Sequence, residues 1–249
     1  MTNSPALDFE ALSDVTICAV TKKNTIAEIE DLLKRMPQIR DIGENRYPNC
    51  KEKFEHFKGL RKHFIGPLQS NKIFRIVSCC DVIQSVENFD QLLKINESAK
   101  KLHKNIKFLL QINISGDPAK HGIRTEEVRN FVKKYLDSKY LPVHDPSTAS
   151  VDVSSTISPD YTIAAPVSPP LLSNVRLMGL MTIGEQAEVA DRFLYFSKLK
   201  ELFDDLNLTA FRDHPLAVLS MGMSDDYHEA IRAGATMVRM GTILFGNLA

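Results

Sequence analysis

The sequence shows no excess of either charge. Over 249 residues, thirty-one Lys and Arg balance thirty-one Asp and Glu, so no net field gathers nucleic acid or anionic lipid. A long apolar run is also missing. The segment MTNSPALDFEALSD at the start has neither a basic opening nor an apolar core, and no uninterrupted stretch approaches the roughly 18 residues that cross a bilayer. This predicts a chain that is neither secreted nor inserted in a membrane. Cysteine is sparse: positions 18, 50, 79 and 80 contain no C-x-x-C pair, and adjacent Cys79 and Cys80 make poor partners for one another. The expectation is reduced thiols in a cytoplasmic compartment. The seven histidines, at 56, 63, 103, 121, 144, 214 and 228, show no H-x-x-x-H or Cys/His ligand spacing, which argues against a metal centre. The G-x-S-x-G elbow of a serine hydrolase is absent as well.

What is present is a globular composition, 43% hydrophobic and 25% charged, able to bury one large core. Short apolar runs rich in β-formers recur at 15–21, 40–43, 62–66, 81–86, 106–114, 175–183, 216–220 and 236–240. Between them lie segments with apolar residues at three and four spacings, such as NTIAEIEDLLKRM, NFDQLLKINESAKKLH, TEEVRNFVKKYLD and VADRFLYFSKLKELFDDL. Strands buried on both faces and separated by helices predict a parallel sheet wound by right-handed crossovers. Eight such units in this length fit a single α/β domain over 1–249, a (β/α)8 TIM barrel. One segment breaks the rhythm. Residues 138–173 hold no glycine but six of the twelve prolines, with many Ser, Thr and Asp, and read as an insertion after the fifth helix.

In such a barrel the C-terminal ends of the strands form the active face. Here those ends are polar: Thr21-Lys22-Lys23 after the first strand, Gly43-Glu44-Asn45 after the second, Ser220 after the seventh and Arg239 in the eighth. In TMVRMGT, Arg239 alternates with Met237 and Gly241, a phase that points it to the interior. A buried arginine needs either an acidic partner or a ligand atom that accepts its hydrogen bonds. Met221-Gly222-Met223-Ser224 leads into DDYHEAIRAG, with Ser224 placed to cap a helix, and Gly241-Thr242 opens a last turn. Loops after the last two strands, with helix amides and a hydroxyl, also form the phosphate cradle of many barrels. Capping alone and phosphate binding account equally well for Ser224. Lys22 is either a surface lysine or, if it enters a pocket, an amine able to attack a carbonyl; alternation would turn Lys23 the other way.

At these residues the sequence resembles the pyridoxal 5'-phosphate (PLP) homeostasis protein family, barrels related to the N-terminal domain of alanine racemase. The matching pieces are AVTK (19–22), GEN (43–45), HFIGPLQSNK (63–72), QSVEN (84–88), QINISGDPAKHGI (111–123), GLMTIG (179–184) and LSMGMSDDYHEAIRAGATMVRMGTILFG (219–246). The resemblance implies that Lys22 forms a Schiff base with PLP. It implies that Ser224, Gly241 and Thr242 hold the phosphate, that Arg239 meets the pyridine nitrogen, and that Asn45, Ser220 and Met221 line or pack against the ring pocket. It implies a monomer that passes PLP to dependent apoenzymes without established turnover. The chain departs from the family in GENRYPN, in IGPLQ and in Lys23-Asn24-Thr25 after the lysine, and few residues flank the first and last strands.

Two other readings remain beside the PLP carrier. A racemase-like PLP enzyme would need a second acid or base across the ring, which alanine racemase draws from another domain; none is evident in this sequence. A barrel enzyme acting on a phosphorylated metabolite without PLP would keep the cradle and use Lys22 otherwise.

Overall fold

The computed structural model describes residues 7–140, 171–184 and 189–246. The described residues form nine strands: β1 (Thr16–Val20), β2 (Asp41–Glu44), β3 (Arg61–Phe64), β4 (Val82–Val86), β5 (Ile106–Asn113), β6 (Ile123–Arg124), β7 (Val175–Met181), β8 (Val218–Ser220) and β9 (Met237–Met240). All pair in parallel. Eight of them close on themselves in the order β1-β2-β3-β4-β5-β7-β8-β9, with β9 returning to β1. The eight runs expected from the sequence are these eight strands, and the barrel is closed as the spacing predicted. The two-residue β6 is an addition outside the barrel, paired only with the end of β5.

The helices are α1 (Ile26–Arg35), α2 (Asn49–His56), α3 (Ile73–Cys79), α4 (Phe89–Lys101), α5 (Val128–Tyr140), α6 (Val189–Leu208), α7 (Tyr227–Arg232) and α8 (Thr242–Phe245). Local chemistry sets several starts. Thr25 caps α1 in a capping box with Glu28, and the Asn88 side chain accepts from the Gln91 amide at the start of α4. Helices α1, α4 and α6 pack on the outside of the sheet, where Ile29, Leu32, Leu92, Ile95 and Phe196 are fully buried. The four cysteines are buried and free, with the Cys50 and Cys79 Sγ atoms 3.5 Å apart between α2 and α3.

The insertion expected at 138–173 starts later than its composition suggested. Helix α5 continues to Tyr140, because the Leu172 amide donates to the Ser138 carbonyl and Lys139 Nζ reaches the carbonyl oxygens of Ser173 and Val175. Leu172 itself is fully buried. Residues 141–170 lie outside the described residues.

Two glycines let backbone segments touch. A Cβ on Gly66 would run into the Asn45 carbonyl, so the loop after β3 packs directly on the loop after β2. Gly179 follows a bulge in β7, where Met178 is the extra residue between the Phe108–Leu177 and Leu109–Gly179 pairs. A Cβ there would strike the Val218 carbonyl of β8. Gly179→Ala is therefore expected to force the β7–β8 seam apart and cost about 3 kcal/mol or more, a fall of roughly 6–12 °C in thermal midpoint for a chain of this length. A thermal melt of the variant followed by circular dichroism checks it.

Candidate functional site

Above the C-terminal ends of β1, β8 and β9 lies an open cavity of about 510 Å³, lined by Lys22, Lys23, Ser224, Asp225, Arg239, Gly241 and Thr242 among others. Five of the eight expected site residues thus meet on one wall: Lys22, Ser224, Arg239, Gly241 and Thr242. Ser220 and Met221 are fully buried behind it. Asn45 lines a second depression, with Tyr47, Pro67, Gln69 and Lys72.

Arg239 forms the floor. It is only 4% exposed, and among the described residues no carboxylate lies within ion-pair distance of it. Its partners are neutral oxygens: one terminal nitrogen donates to the Ser220 carbonyl at 3.0 Å and Ser220 Oγ at 2.8 Å, the other to the Thr182 carbonyl at 2.7 Å. A guanidinium carries five N–H groups, so two remain without a partner among the described residues while the side chain borders the cavity. Burial pulls the group below its ordinary value, and Ser220 owes its place in the site to holding this floor rather than to lining the wall.

The Ser224 side differs from expectation. Helix α7 begins three residues later, at Tyr227 with Asp226 before it, because the Asp226 carboxylate takes the Met223 amide and closes a turn over Ser224. Burial raises the Asp226 carboxyl above the usual carboxylate range, although the Met223 amide and Arg239 oppose that shift. Ser224 does not cap α7. Its Oγ instead accepts the Ile243 amide at 3.4 Å, at the start of α8, where first-turn amides have no intrahelical acceptor. The Ser224 hydroxyl and the first turn of α8 therefore meet beside Gly241 and Thr242 at the edge of the cavity.

Lys22 and Lys23 were expected to face opposite ways, yet both border the cavity and both are exposed. The strand ends at Val20, and the Asn24 amide donates to the Thr21 carbonyl at 3.0 Å, so residues 21–24 form a turn in which strand alternation no longer holds.

That turn is pinned from beneath by a network the sequence did not reveal. Lys53 of α2, 8% exposed, donates to the Thr21 carbonyl at 2.6 Å and to Glu44 Oε1 at 2.7 Å, and Thr21 Oγ1 donates to the same Glu44 oxygen at 2.7 Å. Glu44 is fully buried, and its Oε2 has no partner among the described residues. The signal was present as a lysine nine residues after Glu44, one turn into a helix whose apolar face carries Cys50 and Phe54. Among the described residues no cluster of His, Cys, Asp and Glu could hold a metal, and no helix is long and apolar enough to cross a membrane.

The geometry has counterparts. The family described as alanine racemase, N-terminal domain, matches residues 8–144. The chain is 36% identical to the pyridoxal phosphate homeostasis protein of Synechocystis sp. over 237 residues, 94% of this chain and 91% of that one. It is 30% identical to the protein of the same name from Escherichia coli K12, over 94% of this chain and 86% of the relative. Among solved structures it is similar to PipY of Synechococcus elongatus with PLP bound, with a TM-score of 0.73 and 26% identity over 95% of this chain and 99% of the other. An alanine racemase from Clostridium difficile superposes with a TM-score of 0.67 at 16% identity, over 95% of this chain and 57% of that one, a likeness of fold.

Removing one partner of a buried ion pair leaves the other charge uncompensated. Lys53→Met is expected to destabilise the chain by about 3–5 kcal/mol, with the double variant Glu44→Leu/Lys53→Met recovering most of the loss. Urea unfolding of the two variants measures both.

Proposed function

We propose, from the premise that the chain belongs to the pyridoxal phosphate homeostasis protein family, that it binds PLP in the cavity over Arg239. It then acts as a holder and donor of the cofactor, without catalytic turnover. The observation that carries this is the wall itself: an exposed primary amine, a buried guanidinium with spare N–H groups and a hydroxyl-and-amide corner share one cavity. These are the donors that an aldehyde, a ring nitrogen and a phosphate require.

PLP supplies, when bound, an aldehyde that condenses with amines and a pyridine ring that withdraws electrons. Each side chain then has a defined task. Lys22 offers the anchoring amine from a turn held in place by Lys53. Ser224, Gly241 and Thr242 receive the phosphate beside the first turn of α8. Arg239 donates toward the ring nitrogen and, having no proton to give up near neutral pH, leaves that nitrogen unprotonated.

This arrangement favours holding over chemistry. An unprotonated ring is a weak electron sink, and among the described lining residues the buried titratable group is Arg239, while Lys22, Lys23 and Asp225 are exposed. A racemase would need a second positioned acid or base facing Lys22 across the ring. The open mouth and exposed lysine suit exchange with PLP-dependent apoenzymes, and the four free thiols suit the reducing cytoplasm.

The protein incubated with PLP and freed of excess should retain a visible absorption band, and borohydride should fix a pyridoxyl group on Lys22, as mapped by peptide mass spectrometry. Lys22→Ala should lose both. Amino-acid racemisation by the loaded protein should stay at the level of free PLP. A colourless protein that takes up no PLP would refute the binding, and racemisation abolished by Lys22→Ala would refute the carrier reading.

A further inference from the structure

The interior of the barrel carries a continuous polar column that none of the assigned tasks requires. From the mouth downward, Arg239 of β9 bonds Ser220 Oγ at the end of β8 at 2.8 Å. Ser220 Oγ meets Gln84 Oε1 of β4 across the barrel at 2.8 Å. Gln84 Nε2 meets His63 Nδ1 of β3 at 2.9 Å, and His63 Nε2 meets Asp41 Oδ1 at the start of β2 at 2.7 Å. Arg61, at the base of β3, closes the column on the same Asp41 oxygen at 3.1 Å. Asp41 and Arg61 border a cavity of about 490 Å³ at the other end of the barrel. Ser220, Gln84, His63 and Asp41 are each at most 3% exposed.

Arginine can only donate, so Ser220 Oγ accepts from Arg239. The Gln84 oxygen is turned to Ser220, so the hydroxyl gives its own hydrogen to Gln84 Oε1. The Gln84 amide nitrogen then faces His63, and its second hydrogen meets the Met237 sulfur at 3.3 Å. His63 Nδ1 must therefore accept, and Nε2 carries the hydrogen given to the carboxylate of Asp41. The opposite neutral tautomer would set a bare Nε2 against a carboxylate. A doubly protonated ring would force the Gln84 amide to turn over and leave the Ser220 hydroxyl hydrogen without an acceptor.

We infer that His63 is a positioning residue, held as the neutral Nε2–H tautomer, that fixes the orientation of Arg239 toward the cofactor through Gln84 and Ser220, with Asp41 and Arg61 as the anchor at the far end of the barrel. The effect on the cofactor rests on the PLP reading of the cavity; the direction of the column does not. A column with all its donors aligned leaves Ser220 Oγ one way to sit, and that oxygen holds one edge of the guanidinium.

The test has two arms. In the protein without added PLP, long-range 1H–15N correlation of 15N-labelled histidine should show His63 with a bare Nδ1 and a protonated Nε2 at neutral pH; a protonated Nδ1 would overturn the inference. Gln84→Met cuts the column at its centre with little change in volume and leaves all cavity-lining residues in place. It should weaken PLP binding roughly tenfold, the loss of one hydrogen bond supporting a charged group, and shift the absorption maximum of the bound cofactor. A folded Gln84→Met protein with unaltered affinity and spectrum would sink the positioning role. Failure of the unmodified protein to take up PLP would instead remove the proposed function, and the histidine spectrum would still decide the direction of the column.

Discussion

A guanidinium that can only donate is buried inside a barrel, and much of the architecture around it follows from that constraint. The interior of a (β/α)8 barrel is ordinarily filled by layers of branched apolar side chains. Here Asp41, His63, Gln84, Ser220 and Arg239 occupy positions on five strands. A buried polar group costs free energy unless its hydrogen bonds are met, and one polar residue in such a core demands another until the column reaches a carboxylate. Arg239 and Asp41 are its two ends, one unable to accept and the other unable to donate, and the residues between them are those that can do both.

The cavity is built unequally. Its floor is fixed by three short bonds to oxygens of Thr182 and Ser220, whereas its amine sits on an exposed turn beyond the end of β1. That turn is not loose, because Lys53 holds the Thr21 carbonyl and Glu44 from below. The backbone at the lysine is thus set by a buried ion pair while the amine itself stays in contact with solvent. In the proposed function, a site made this way recognises its ligand by fixed donors and keeps the covalent step accessible from outside.

The barrel was legible in the sequence because period and composition are local properties: eight apolar runs at regular intervals, each followed by a helical stripe or a turn. Helices α2 and α3 were harder to read, since NCKEKFEH and IFRIVSC are short and start without a side-chain cap. The cavity residues Lys22, Ser224, Arg239, Gly241 and Thr242 were found from strand-end position and from the family resemblance. What local reasoning missed depended on contacts between distant segments. The start of α7 moved because the Asp226 carboxylate takes the Met223 amide while Ser224 turns to the Ile243 amide, and Lys23 joined the wall because the strand stops at Val20. The Ser220–Gln84 bond spans 136 residues of sequence, and no spacing rule within one element announces it. His63 read as a strand residue, which it is; its partners exist only once the barrel closes.

Alanine racemase and this chain share a barrel, so the fold cannot be what separates a racemising enzyme from a carrier. In the proposed function the separation lies in proton inventory. Moving a proton on and off a carbon next to the cofactor needs groups of matched pKa poised on both sides of the ring, together with a ring able to take up the resulting charge. The floor residue here is permanently charged and keeps its protons, and the other ionisable groups on the described wall are solvated at the mouth. In the proposed function such a wall holds the reactive aldehyde through its phosphate and ring, and none of the described lining residues is a second acid or base placed to exploit it.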